Sequence, residues 1–186
     1  LPYIDNLAGT MASTPELSSL KAISGEVDFG QRMFKLEDYP LYFEAAKKHG
    51  LRVWTPTSGY TSNPGFWFNL NLDDDPVKRD IFRDVRFRRA LSLAINRNEV
   101  NQKVNYGTGR PVQMTYAPDV PGYEARFANA YASFDTGEAN RLLDEMGLDK
   151  RDGEGFRLRP DGKVLTVQIV VVSGGEIAWV ETSELV

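Results

Sequence analysis

Apolar residues recur along this chain at two spacings, one helical and one extended, and the clearest helical run lies between Asp84 and Gly109. With Asp84 as N-cap, Phe87, Ala90, Leu91, Ala94 and Ile95 fall at the i, i+3, i+4, i+7, i+8 positions that line one helix face. Asn96 then interrupts as a second N-cap. Glu99 follows at capping-box spacing, which satisfies orphan backbone N–H groups and starts a short helix through Val100 and Val104. Gly107 and Gly109 end it.

The same reasoning places the other helices. Ser13 to Glu16 reads as a capping box with Pro15 in the first turn; Leu17, Leu20 and Ile23 follow, and Gly25 is the stop. Asp38 to His49 is the next helix, with Gly50 as its C′ residue. The acidic run Asp73-Asp74-Asp75-Pro76 is a helix-initiating turn before Val77 to Arg83. Asp135 and Glu138 cap a helix whose stripe is Ala139, Leu142, Leu143 and Met146, closed by Gly147. A last helix opens near Glu176 and runs through Ile177 and Val180.

Alternation marks the extended segments. From Gly65 to Leu72, Phe66, Phe68, Leu70 and Leu72 share one face, which is expected to be core, while Trp67, Asn69 and Asn71 share the other. An aromatic plate beside amides suits recognition of a polar organic ligand; equally, Trp67 can pack under a helix while the asparagines bond to loops. Val27 to Gly30 is a brief strand candidate, and Gln31, Arg32 and Met33 leave it. Leu51 to Thr57 reads as extended and Gly59 to Pro64 as a loop. Phe156 to Arg159, the Pro160-Asp161-Gly162 turn and Lys163 onward read as a hairpin. Its second strand, with Leu165, Val167, Ile169 and Val171 on one face, is expected to be interior. Pro111, Pro118 and Pro121 make the stretch from Gly109 to Phe127 a connecting loop. The fold class expected from this mixture is α/β, a mixed sheet with flanking helices.

Composition narrows the chemistry. At 186 residues, 41% hydrophobic and 26% charged, the chain is long enough to bury a sizeable core. A net charge of −4 disfavours nonspecific attachment to DNA or anionic membrane. The absence of cysteine removes disulfides, thiolate zinc sites and a cysteine nucleophile, and a single histidine, His49, removes a multi-histidine metal site. His49 ends a predicted helix, where it complements the dipole. No metal or other cofactor is expected: the three consecutive aspartates diverge, and Asp149 to Gly155 lacks EF-hand spacing. The Ser173-Gly174-Gly175 turn carries no phosphate-binding fingerprint. Arginines between Arg79 and Arg97 are candidates for a nucleic-acid patch, but Asp80 and Asp84 interleave with them, as on a solvated helix face. Glu26 and Asp28, on one side of the short strand, are the paired carboxylates a hydrolase would need.

Four passages, taken in order, resemble the family 5 extracellular solute-binding proteins, the oligopeptide- and dipeptide-binding type that serve ABC importers. They are Leu20 to Gly30 (LKAISGEVDFG), Phe66 to Asn71 (FWFNLN), Asp84 to Gly109 with its ALSLAINR core, and Phe134 to Gly147 (FDTGEANRLLDEMG). The resemblance implies most of one lobe, over 1–186, of a type II periplasmic-binding-protein-like fold in which two lobes close over a ligand, with the other lobe absent from the chain. It implies solute capture without catalysis, the solute being an oligopeptide or, as in some relatives, an oligosaccharide. A membrane permease would be the partner, the location periplasmic or lipid-anchored at the cell surface, and the protein a monomer. Under that reading the ligand contacts are Gln31 and Arg32 as polar groups, Trp67 as a stacking surface and Asn69 as a hydrogen-bonding amide.

Overall fold

The computed structural model describes residues 3–30, 34, 38–54, 65–171 and 177–186. Two compact units divide the chain, Leu1–Pro56 and Thr57–Val186. Each has its own helices.

The first unit holds α1 (Pro15–Ser24) and α2 (Tyr39–His49). Thr14, one residue later than the spacing predicts, is the N-cap of α1: its Oγ1 accepts from Leu17 N at 3.2 Å, with Pro15 at the first helical position. Asp38 precedes α2 without a side-chain cap bond, and Gly50 ends it at φ 68°. The helices meet where the Ser19 hydroxyl and the Tyr42 phenol share a buried 2.6 Å hydrogen bond. Tyr42 also takes the edge of Phe34 at 5.6 Å. Gly25 closes α1 at φ 80°, and a Cβ there would lie 2.7 Å from Nδ1 of His49. Gly25→Ala therefore combines left-handed backbone strain with displacement of the imidazole. A loss of ~1 kcal/mol or more from the first unit is expected, read as earlier melting of the Leu1–Pro56 amides in hydrogen exchange.

The second unit contains α3 (Pro76–Arg83), α4 (Val85–Ala94), α5 (Arg97–Val104), α6 (Ala125–Asn129), α7 (Thr136–Glu145) and α8 (Ile177–Leu185). Its starts follow the sequence closely. Asp75 accepts from Lys78 N at 3.0 Å, Asp84 from Arg86 N at 2.8 Å, Asn96 from Glu99 N at 3.2 Å and Asp135 from Glu138 N at 2.9 Å. Each bond satisfies a donor that the helix itself leaves orphaned. The buried face of α4 is Phe87, Ala90 and Leu93, while Ala94, expected inside, is exposed.

Helix α4 lies along α7, and the contact is made by small residues. Ala90 is fully buried against Ala139, with Leu93 and Leu142 beside them. Residues this small let the two backbones approach closely. Below that seam, Ile81, Phe82, Phe87 and Leu148 form the main core, joined by Phe68 and Leu165. Phe82 stacks on Phe87 at 5.5 Å, and Phe68 sets its edge against both, at 5.6 and 5.9 Å.

The mixed sheet expected from alternation is not formed: among the described residues there are helices and two isolated antiparallel bridges, Arg151 to Arg157 and Leu158 to Val164, but no strand. The α/β class is therefore replaced by a helix-rich one. The physical reason is that alternation supplies a face and not a partner, and a ladder needs a second segment in register. The predicted hairpin survives only as its turn, with Gly162 N donating to Arg159 O at 2.9 Å and single bridge bonds on either side. Its second arm is not interior either. Leu165 reaches the core, but Val167, Ile169 and Val170 are exposed. Val27 to Gly30 is likewise not a strand.

Candidate functional site

The aromatic-and-asparagine run, residues 66–71, is fixed from both sides. Phe68 drives into the phenylalanine cluster, and Arg83, near the end of α3, donates from Nε to Leu70 O at 2.7 Å and from Nη2 to Asn71 Oδ1 at 3.5 Å. Anchored this way, the run holds Trp67 out: the indole is 75% exposed and does not pack under a helix. Phe66 beside it is also exposed. Asn69 turns its carbonyl oxygen to Asn71 N at 3.0 Å, which leaves its amide NH₂ with no partner among the described residues. The surface therefore offers an aromatic plate and a hydrogen-bond donor two residues apart on a braced segment, a combination suited to a flat polar ligand. Exposure on this scale is uncommon for tryptophan unless something covers it.

Of the four residues expected to contact ligand, Trp67 and Asn69 are thus placed near each other. Gln31 and Arg32 lie outside the described residues, as do the loop from Gly59 to Pro64 and the Ser173-Gly174-Gly175 turn. The bracing role of Arg83 had no signal in sequence, since its acceptors are 12 and 13 residues away.

The arginines that invited a nucleic-acid reading are engaged with the protein itself. Arg88 Nη1 donates to Phe82 O at 2.6 Å, Arg83 O at 2.9 Å and Asp84 O at 3.4 Å, and so covers carbonyls at the end of α3. Arg86 pairs with Asp84 and reaches Glu145 O on α7, while hydrogen bonding from Arg86 holds the Asp84 carboxyl below its usual range. Arg89 lies over the Tyr131 ring at 4.6 Å. This is internal bracing more than a solvated face, and it leaves few free guanidinium groups for phosphate contacts. Asp75, one of the three consecutive aspartates, is committed to capping α3 and to Arg159. Glu26 accepts from Ser24 Oγ at 2.9 Å and lies 3.5 Å from Lys21 Nζ.

Comparison with known proteins decides the family. Residues 1–185 match the family model of the bacterial extracellular solute-binding proteins, family 5 Middle. The chain belongs to that family. It is 22% identical over 173 residues to a probable ABC transporter-binding protein of Deinococcus radiodurans, covering 91% of this chain and 28% of that protein. It is 26% identical over 154 residues to a putative ABC transporter peptide-binding protein of Brucella ovis, covering 82% and 26%. A periplasmic alpha-galactoside-binding protein of Rhizobium meliloti is 24% identical over 174 residues, covering 88% and 24%. The chain spans about a quarter of the length of these family 5 relatives. No described helix is long and apolar enough to cross a membrane.

Proposed function

We propose that this chain takes part in capturing a solute outside the cytoplasm for uptake through an ABC importer, as part of one lobe of a two-lobed protein. The observation that carries the reading is the family match over residues 1–185, joined by relatives named for binding peptides and alpha-galactosides. The solute is an oligopeptide or an oligosaccharide. Both present flat or amide-bearing surfaces, and the exposed Trp67 with the Asn69 amide, unpartnered among the described residues, supplies stacking and a donor for either. Gln31 and Arg32 add polar contacts, Arg32 toward a carboxylate or sugar hydroxyls.

The mechanism is binding and release with no bond broken. Closure of a second lobe over the solute excludes water and completes the contacts. The closed form is favoured by its higher affinity for solute, and a membrane permease reads that form. The protein works in the periplasm or anchored at the cell surface, as a monomer.

A panel of oligopeptides and oligosaccharides, screened by thermal shift, tests this. A ligand present at 100 times its Kd adds about 2.7 kcal/mol to the folded form, so a cognate solute raises Tm by several degrees. Trp67→Ala is expected to weaken that solute roughly tenfold, about 1.4 kcal/mol, with Tm of the free protein unchanged. Hydrolysis of any panel member would replace this reading with a carboxylate enzyme; equal affinity in Trp67→Ala would remove the tryptophan from the site.

A further inference from the structure

A second place on the Thr57–Val186 unit has the makings of a binding site and shares no residue with the Trp67 surface. It is a cleft of about 330 Å³ where the start of α5 meets the chain between α6 and α7. Arg97, Asn98 and Ser133 supply its chemistry, and Pro111 and Phe134 supply apolar wall.

Arg97 is the unusual member. Its Nη1 donates to Ser92 O at 2.7 Å and Ala132 O at 3.4 Å, and its Nη2 to Ser92 Oγ at 2.8 Å. All three acceptors are neutral. Among the described residues no carboxylate lies within ion-pair distance, and Nε makes no hydrogen bond. Arg86, Arg141, Arg157 and Arg159 of this unit each pair with an acidic side chain, whereas Arg97, like Arg88, is held by neutral acceptors alone. The neighbouring acids are occupied elsewhere, Glu99 by Lys103 Nζ at 2.6 Å and Asp135 by Glu138 N at 2.9 Å. Burial pushes the Arg97 pKa down, as expected for a charge that has lost water without gaining a counter-ion.

The cleft wall is held rigidly. Ser92 Oγ donates to Tyr131 O at 2.8 Å and accepts from both Arg97 and Gln113 Nε2, the latter at 2.9 Å. Asp135 N donates to Leu93 O at 2.9 Å, and Tyr131 is kept at φ 53°. The side chains of Asn98 and Ser133 make no hydrogen bond among the described residues, which leaves an amide and a hydroxyl at the cleft beside a partly desolvated cation.

We propose that this cleft binds a small organic carboxylate, with Arg97 as the charge partner, Asn98 and Ser133 as hydrogen-bond donors, and Phe134 and Pro111 against the apolar part. One guanidinium suits a singly charged anion, and a charge-assisted bond in a partly desolvated setting is stronger than one in open water. The carboxylate is either a free acid or the C-terminus of a peptide.

Benzoate, its neutral isostere benzamide, and acetyl-alanyl-phenylalanine are titrated into the whole chain, and the backbone amide resonances of Asn98, Ser133 and Phe134 are followed. Saturable shifts with benzoate or the peptide acid, roughly tenfold tighter than with benzamide, are expected. Which acid is tighter assigns the source. Asn98→Asp places a repelling charge at the cleft. It should fold normally, because a carboxylate in the first turn of α5 complements the helix dipole, and it should weaken benzoate by about tenfold. Ser133→Ala, at an exposed position, should weaken it less. Benzamide binding as tightly as benzoate, an absence of saturable shifts, or full affinity in Asn98→Asp would overturn the proposal.

Discussion

Phe87→Ala is expected to destabilise the second unit by about 3–5 kcal/mol, the range for truncating a buried phenylalanine. The side chain is only 1% exposed, and it touches both aromatic partners, Phe82 face to face and Phe68 edge on. Truncation opens a cavity between α3 and α4 and loosens Phe68, one of the two residues that anchor the run carrying Trp67. Urea denaturation gives the loss directly. A second consequence separates this from simple destabilisation: Phe68 loses a partner, so Trp67 becomes less well ordered even where the unit remains folded. Its fluorescence anisotropy should fall under native conditions. Phe87→Leu, which keeps most of the volume, should restore much of the stability.

Arg159→Ala should have the next largest effect, and the effect should depend on pH. The guanidinium is almost fully buried between two carboxylates, with Nη1 and Nη2 to Asp75 at 2.5 and 2.9 Å and Nε and Nη2 to Asp161 at 3.0 and 2.7 Å. Asp75 caps α3, so this cluster ties the Pro160-Asp161-Gly162 turn to a helix start 84 residues earlier in the chain. Removing the arginine leaves two carboxylates facing each other without their cation, and Tm should fall by several degrees. Hydrogen bonds from Arg159 hold the carboxyls of Asp75 and Asp161 below the usual aspartate range. A depressed folded pKa contributes stability above the unfolded value and loses it as pH drops through the folded one. The gap between wild type and Arg159→Ala should therefore be full at neutral pH and shrink below about pH 4. A gap that stayed constant down to acid pH would mean that the arginine acts through packing alone.

Local signals were legible in this chain and distant ones were not. Asp84, Asn96 and Asp135 announce their helices because a cap and the N–H that donates to it lie within three residues, and all three make those bonds in the structure. Thr14 displaced Ser13 by one position for the same local reason: either hydroxyl can cap, and Pro15 fits the first helical position after Thr14. Sheet formation failed as an inference at Phe66 to Leu72 and at Lys163 to Val171. Both have the right alternation, yet each sends one residue, Phe68 or Leu165, into a helical core and leaves the rest without a ladder partner. Trp67 and Asn69 were recognisable as residue types, but the bracing that makes them a surface depends on Arg83 across a turn. The Arg97 cleft was invisible for a similar reason, being assembled from three separate stretches of chain. Family membership, by contrast, was readable from four short passages because their order constrains it more than any one of them does.

The central claim is that this family member captures its solute through the Trp67 surface, and the emission of Trp67 alone tests it most directly. With Trp54→Phe and Trp179→Phe in place, Trp67 is the sole tryptophan of these 186 residues, and its spectrum can be followed across the oligopeptide and oligosaccharide panel. The account predicts a saturable blue shift with one of the two classes as the indole leaves water, at the same concentrations that raise Tm. A solute that raises Tm while the Trp67 spectrum stays that of a water-exposed indole would contradict it.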